Sequence, residues 1–152
     1  MENINYSELT VIIVRTQEEL DIIPLDFKGR IIIEGEKNNW IVIKNNYYNS
    51  VTILENSSVI VRGNSSVAVW GNSTVVAFEN SSVTAYENSS VWAWGNSFVE
   101  ACGKSTVVAW ENSSVRAYKK STVRAYGNVR VVDFGAKIQI YDNAIVFRER
   151  FL

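Results

Sequence analysis

An eight-residue repeat runs without interruption through the middle of this chain. Ten consecutive units, from Glu55 to Phe134, follow one template: Glu or Gly, Asn, Ser, Ser or Thr, Val, a variable residue, Ala, and an aromatic residue. Self-similarity at a short fixed period is the signature of solenoid architectures, in which each unit contacts its neighbours in the stack. The repeat therefore predicts an all-β fold of stacked coils, with one strand and one corner per unit.

The alternation inside each unit indicates which side chains face the core. Val at position five and Ala at position seven point to one side of a strand, and positions four, six and eight point to the other. Position six holds charges such as Glu100 and Arg116, which a dry core does not tolerate. We therefore expect Val and Ala to face inward. The Asn at position two, beside Gly or Glu, is expected to supply the left-handed corner.

Irregular units indicate how many repeats make one coil. Lys104 and Lys120 replace the corner Asn two units apart, and Thr74, Thr106 and Thr122 share one face at the same period. A coil of three units would place the two lysines on different corners. The predicted fold class is therefore all-β, a two-sided β-solenoid (β-helix) of about 16 residues per coil, with an N-terminal α/β cap and ladders of Asn and Ser between coils.

The whole chain is predicted to form a single domain, with flanking segments that close the solenoid. Thr16 and Glu19 form a capping box that opens a short helix near the N-terminus. At the other end, Ile138, Ile140, Ile145 and Phe147 are expected to continue the inward alternation, with residues 148–152 covering the last layer. The parts are an N-terminal cap with irregular first coils (1–54), the regular octapeptide solenoid (55–134) and a C-terminal coil and cap (135–152).

Composition lowers the expectation of several kinds of chemistry. The chain has no histidine and a single cysteine, Cys102, so triad, zinc and disulfide chemistry all lack their usual residues. Its net charge is −1, and it shows neither an export signal nor an apolar run long enough to cross a membrane. We expect a cytoplasmic protein that is not an enzyme and that binds no cofactor and no metal.

The repeat also resembles a known group of sequences. Octapeptide arrays of the form Asn-Ser-Ser/Thr-Val-x-Ala-aromatic, which span residues 56–126 here, are similar to arrays in many uncharacterised bacterial and bacteriophage proteins. Those arrays often follow a segment similar to residues 15–20 (Arg-Thr-Gln-Glu-Glu-Leu). The resemblance implies a β-solenoid of prokaryotic or phage origin, and it brings no established activity or site residues.

One outward face of the predicted solenoid is more apolar than the other. Exposed aromatic and β-branched surface of this kind usually marks an interaction site, and Trp and Tyr are frequent binding hot spots. The same aromatic residues could instead form ladders that stabilise their own sheet. We predict a protein interface, most simply a homodimer. Its candidate residues are Val76, Phe78, Trp92, Trp94, Val108, Trp110 and Tyr126.

Charge is distributed unevenly along the chain and suggests an alternative function. Residues 1–100 carry six basic and twelve acidic side chains, whereas residues 101–152 carry nine basic and four acidic. A basic cluster could bind a polyanion, and an aromatic ladder could stack on a glycan, as in a phage factor that captures or blocks a host component. Nucleic acid and glycan rank below a protein partner. The candidate anion-binding residues are Arg116, Lys119, Lys120, Arg124 and Arg130.

Overall fold

The octapeptides fold into two parallel sheets that face each other across a thin core. The structure is a computed structural model that describes residues 10–44 and 50–149. Within these residues, sheet A has the strand order β1-β2-β4-β6-β8-β10-β12-β14-β16, and sheet B has the order β15-β13-β11-β9-β7-β5-β3. The elements are β1 (Val11–Val14), α1 (Gln17–Asp21), β2 (Arg30–Ile33), β3 (Trp40–Ile43), β4 (Val51–Ile53), β5 (Ser58–Val61), β6 (Ser66–Val69), β7 (Thr74–Ala77), β8 (Ser82–Ala85), β9 (Ser90–Ala93), β10 (Phe98–Ala101), β11 (Thr106–Ala109), β12 (Ser114–Tyr118), β13 (Thr122–Ala125), β14 (Arg130–Phe134), β15 (Lys137–Ile140) and β16 (Ile145–Arg148).

The register between strands confirms the two-sided coil of 16 residues. Val99 in sheet A pairs with Val115, and Val107 in sheet B pairs with Val123, so each strand lies beside the strand two units later. Consecutive units therefore alternate between the two sheets, and a three-unit coil is excluded.

The core also has the predicted composition. The position-five and position-seven side chains of the regular coils, such as Val75, Ala77, Val91 and Ala93, are fully buried. Val and Ala are small enough to fill the narrow space between the two sheets, which explains why larger residues are absent from these positions in the regular coils.

The corners differ from the prediction in which residue takes the left-handed conformation. Positive φ occurs at position one, as in Gly63 (φ 70°) and Glu79 (φ 62°), and not at the Asn that follows it. An exception is the corner where Lys119 and Lys120 replace Glu or Gly and Asn, since there Lys120 has a φ of 74°. Position one turns the chain, and the Asn at position two lies exposed beside it.

Hydrogen bonds inside each corner involve Ser more than the predicted ladders do. The buried hydroxyl of Ser81 donates to the carbonyl of Phe78, and that of Ser113 donates to the carbonyl of Trp110. These bonds lie within one corner and satisfy a carbonyl at the end of the preceding strand. Coil-to-coil side-chain bonds are formed by Asn, where Asn96 Nδ2 donates to Asn80 Oδ1 at 3.4 Å.

The N-terminal helix caps the solenoid as predicted. The Thr16–Glu19 capping box is present, and Leu20 is buried over the first coil. The Gln17 side chain pairs with the backbone of β3, because its Oε1 accepts from Val42 N at 2.6 Å and its Nε2 donates to Val42 O at 3.1 Å. α1 therefore occupies the outer edge of β3, which would otherwise be an unpaired strand edge of sheet B.

The last coil is one residue shorter than the others. Thr122 pairs with Lys137 and Arg130 pairs with Ile145, both at a spacing of 15 residues. The missing residue falls at the corner of Gly135, whose N–H donates to Asp133 Oδ1 at 2.8 Å.

The inward residues of this coil are partly different from those predicted. Ile138 and Ile140 face inward as predicted, but Ile145 and Phe147 face outward, and Val146 takes the inward place opposite Val131. The reason is that position seven of one unit and position five of the next are six residues apart, so Ile140 is followed inward by Val146. The side chain of Arg148 is exposed beside Asp133. Residues 150–152, which were expected to help cover this layer, lie outside the described residues.

Candidate interaction surfaces

The middle of the outer face of sheet B is an apolar column. In sheet A the matching column is mixed and polar, so the predicted asymmetry between the two faces is present. Backbone pairing sets both columns, with neighbouring strands about 4.8 Å apart. The column of sheet B runs Val42, Ile60, Val76, Trp92 and Val108. That of sheet A runs Thr52, Ala68, Thr84, Glu100 and Arg116.

Trp92 is the most prominent residue of this column. Its side chain is 45% exposed, whereas its neighbours Val76 and Val108 are half-buried. Trp92 takes part in none of the ring stacks described below. Its large apolar surface is therefore presented to the outside by two flanking valines.

The aromatic residues at position eight form a ladder along one corner edge of sheet B. Trp94 and Trp110 stack with centroids 4.1 Å apart and an interplanar angle of 9°, and Trp110 continues onto Tyr126 at 5.8 Å. At the other end of the ladder, the Arg62 guanidinium lies 4.7 Å from the centroid of the Phe78 ring. Each aromatic stack contributes about 0.5–1.5 kcal/mol beyond the area that it buries.

The predicted interface thus separates into two structural groups. Val76, Trp92 and Val108 belong to the exposed column. The remaining four residues belong to the ladder, where neighbouring rings cover much of their faces, and they are Phe78, Trp94, Trp110 and Tyr126. The sequence analysis omitted Val42 and Ile60 from the interface, although the spacing of 16 between Ile60 and Val76 was available as a signal.

A second aromatic ladder lies at the corresponding edge of sheet A and is interrupted at Cys102. Tyr118 and Phe134 stack at 4.8 Å after the interruption, as Trp70 and Tyr86 do before it at 4.0 Å. Burial raises the pKa of the Cys102 thiol, and the nearby Glu100 carboxylate raises it further.

Glu100 also interacts with the ring that follows the interruption. The Tyr118 hydroxyl donates to Glu100 Oε1 at 2.9 Å, and this hydrogen bond is the main cause of a raised pKa at Tyr118. A thiol with a raised pKa is mostly protonated and weakly nucleophilic at neutral pH. The Cys102 region therefore has the properties of a structural site.

The candidate anion-binding residues are spread over two faces and a corner. Arg116 and Arg130 lie on the outer face of sheet A, Arg124 lies on that of sheet B, and Lys119 and Lys120 form the corner between them. Two of the five are already engaged. The Arg116 guanidinium lies 5.4 Å from the centroid of the Phe98 ring, and Arg124 Nε donates to Gln139 Oε1 at 3.1 Å. These side chains therefore do not converge on one flat site.

Two further surveys concern the described part of the chain. It contains no group of three or more His, Cys, Asp or Glu side chains that could hold a metal ion. No helix in it has the length and apolar character that crossing a membrane requires.

Comparisons with known proteins identify no relative. No protein-family model, no curated protein and no solved structure matches this chain. The octapeptide pattern and the solenoid therefore stand on the sequence and the structure alone, and the resemblance to bacterial and phage arrays remains a prediction.

Proposed function

We propose that the protein is a non-enzymatic scaffold that binds protein through the outer face of sheet B, most simply a second copy of itself. The observation that carries this proposal is the exposed Trp92 in the middle of the apolar column that runs from Val42 to Val108. Exposed apolar surface that is contiguous over several strands is a common mark of an interface. Tryptophan is also among the residues that most often contribute the largest share of binding energy.

The dimensions of the column suit a self-complementary contact. It crosses five strands, a length of about 19 Å at about 4.8 Å per strand, and no charged side chain interrupts it. A twofold axis through its middle, at Val76, would lay the column of one copy against the column of the other. Such an isologous contact is the commonest way in which soluble proteins associate.

Charge complementarity favours a second copy over an unrelated partner. In this arrangement Arg124, three coils beyond Val76, reaches the layer of the partner's helix α1. The first turn of α1 carries the acidic residues Glu18 and Glu19. The basic C-terminal part of each copy would therefore lie against the acidic N-terminal part of the other, an arrangement that aids association.

The test is the solution mass of the native chain, Trp92→Glu and Thr84→Glu by size exclusion with light scattering. Thr84 occupies the matching central position on the outer face of sheet A, so it controls for the effect of an added carboxylate. We expect Trp92→Glu to lose the face-to-face contact and Thr84→Glu to keep it. Circular dichroism should show that both variants are folded.

A different result would overturn the proposal. If Trp92→Glu and Thr84→Glu both keep the native mass across a dilution series, the column is not an interface between copies. Trp92 is the better choice for this test than Trp94, because Trp94 stacks on Trp110 and its loss would also weaken the fold.

Source and location belong to the same proposal. The resemblance of the repeat supports a prokaryotic or bacteriophage origin. The single cysteine fits a cytoplasmic setting, where thiols remain reduced. Detection of the native protein in a cell fraction, with antibody against the recombinant chain, would test the location directly.

A further inference from the structure

The two ends of the solenoid are completed differently. At the N-terminal end, the Gln17 side chain occupies the outer edge of β3, and Leu20 covers the core. At the C-terminal end, β15 and β16 are the last strands of their sheets, and within residues 10–44 and 50–149 no strand pairs with their outer edges. An unpaired edge is a ready template for another strand.

The last coil also exposes apolar side chains that the inner coils bury. Ile140 points inward opposite Ala125, yet it is 48% exposed, whereas Ala125 is fully buried. On β16, Ile145 and Phe147 are 52% and 54% exposed. Apolar side chains and unpaired backbone groups thus coincide at one end of the rod, and this combination favours pairing with another strand.

We infer that this end binds the same end of a second copy through antiparallel pairing of β16 with the partner's β16 and of β15 with the partner's β15. A twofold axis perpendicular to the sheets would relate the two copies. Both sheets would then continue across the junction, so that all four strand edges are paired at once. This surface is separate from the outer face of sheet B, and the inference does not depend on the proposed function.

The residues of the two edge strands match in one register. With Val146 on the twofold axis, Ile145 lies opposite the partner's Phe147, and the inward Val146 lies beside the partner's Val146. In sheet B the same axis passes near Gln139, which places Ile138 opposite the partner's Ile140. Aromatic and β-branched pairs directly opposite each other are favourable cross-strand pairs.

One axis can serve both strands because of the way each coil is built. Val146 is at position five of its unit and Gln139 is at position six of the preceding unit. Consecutive strands run in opposite directions on facing sheets, so position five of one lies across from position six of the other. The match in β16 and the match in β15 are therefore compatible with a single rigid arrangement.

Charge does not oppose this register. Arg148 would lie opposite the partner's Ala144, and Lys137 would lie opposite the partner's Tyr141, so no like charges stand directly across from each other. Like charges in that position would be destabilising.

A head-to-tail arrangement is less favourable, although it would bring the basic end against the acidic end. Sheet A could continue from β16 onto the partner's β1, but in sheet B β15 would meet the partner's helix α1. The edge of β3 is already occupied by the Gln17 side chain. Head-to-tail contact would leave β15 unpaired, whereas the tail-to-tail contact pairs both strands.

The tail-to-tail dimer would also change what the protein presents to a partner. Because the axis is perpendicular to the sheets, the outer faces of sheet B in the two copies lie on the same side. The two apolar columns would then belong to one continuous sheet of twice the length.

Disulfide trapping tests this inference directly. In a Cys102→Ser background, Gln139→Cys places one exposed thiol next to the twofold axis, where its counterpart in the partner is directly opposite. Directly opposite residues in antiparallel strands have Cα atoms about 4.5–5.5 Å apart, which is within disulfide reach. Lys104→Cys in the same background is the matched control, since it is exposed at a corner far from the end.

We expect Gln139→Cys to form a covalent dimer under mild oxidation at least tenfold faster than Lys104→Cys at low protein concentration. Equal rates for the two variants would overturn the inference, whether residues 150–152 or nothing at all covers the end. Adding Trp92→Glu to Gln139→Cys should leave the rate unchanged. This control separates failure of the end contact from failure of the face contact.

Discussion

The carboxylate of Glu111 accepts a hydrogen bond from the backbone N–H of Gly95, which lies one coil earlier in the same corner, at 2.6 Å. The same bond joins Glu79 to Gly63 and Glu87 to Gly71, both at 2.8 Å. Along each corner, position one alternates between Gly and Glu from coil to coil. One column reads Glu55, Gly71, Glu87, Gly103, and the other reads Gly63, Glu79, Gly95, Glu111, Gly127.

Contacts between coils explain this alternation. A Cβ built on Gly95 would lie 3.0 Å from the backbone nitrogen of Glu79 in the coil before it. The glycine coil therefore lies close against the preceding Glu corner, while the following Glu reaches back to bond the glycine N–H. Two different residues are needed at position one, because one side chain would fill the space that the other coil occupies.

Gly95→Ala is expected to destabilise the protein by about 1–3 kcal/mol. The residue has a φ of +70°, which costs an L-residue about 1–2 kcal/mol, and its new Cβ would press on the Glu79 backbone. Urea unfolding followed by circular dichroism measures the change. Asn96→Ala, at the exposed neighbouring position, should be near neutral. Equal midpoints for the two variants would contradict the close-approach explanation.

Replacing Glu111 should separate the role of its oxygen atoms from the role of its charge. Glu111→Gln keeps an acceptor for Gly95 N–H, whereas Glu111→Ala leaves that N–H to water. We expect the Ala variant to lose about 0.5–1.5 kcal/mol and the Gln variant to lose less. Amide exchange at Gly95 is the specific measurement, and faster exchange in the Ala variant alone is the predicted result. Unchanged exchange in both would show that the bond does not protect the corner.

Trp110→Ala and Trp92→Ala should have opposite effects on stability and association. Trp110 stacks on both Trp94 and Tyr126, so its removal should cost about 1–3 kcal/mol from two lost ring contacts. Trp92 is outside the ladder, so its removal should change unfolding little and weaken association instead. Thermal unfolding and light scattering on the same samples decide between these outcomes. Loss of stability in both variants would mean that the column also supports the fold.

The pH dependence of Cys102 alkylation should show two separate causes of its raised pKa. Burial is the larger cause and the Glu100 carboxylate the smaller one. Glu100→Gln should therefore move the alkylation profile to lower pH without restoring the ordinary profile of an exposed thiol. Iodoacetamide rates across the alkaline range measure this, with a Lys104→Cys variant in a Cys102→Ser background as the exposed reference. A Glu100→Gln profile that matches this reference would show that burial contributes nothing.

Local patterns in the sequence predict much of the fold because the repeat averages out tertiary context. The inward direction of Val75 and Ala77 follows from alternation, and the coil length follows from the spacing of Lys104 and Lys120. The capping box at Thr16 is equally local, since its partners are three residues apart.

The candidate surfaces could be predicted only in part. The greater apolarity of the sheet B face follows from the spacing of 16 residues. Whether an aromatic side chain stacks on its neighbour or stands free depends on its place along the strand relative to the corner. Trp92 at position six is exposed between valines, and Trp94 at position eight is covered by Trp110.

The sequence by itself determined the repeat unit, the two-sided coil, the inward Val and Ala and the more apolar face, because each depends on spacing along one chain. Only the tertiary structure decided the alternation of Gly95 with Glu111, the separation of column from ladder and the inward place of Val146. Each of these depends on a contact between neighbouring coils or on a one-residue change at a corner, and an octapeptide template averages over such contacts.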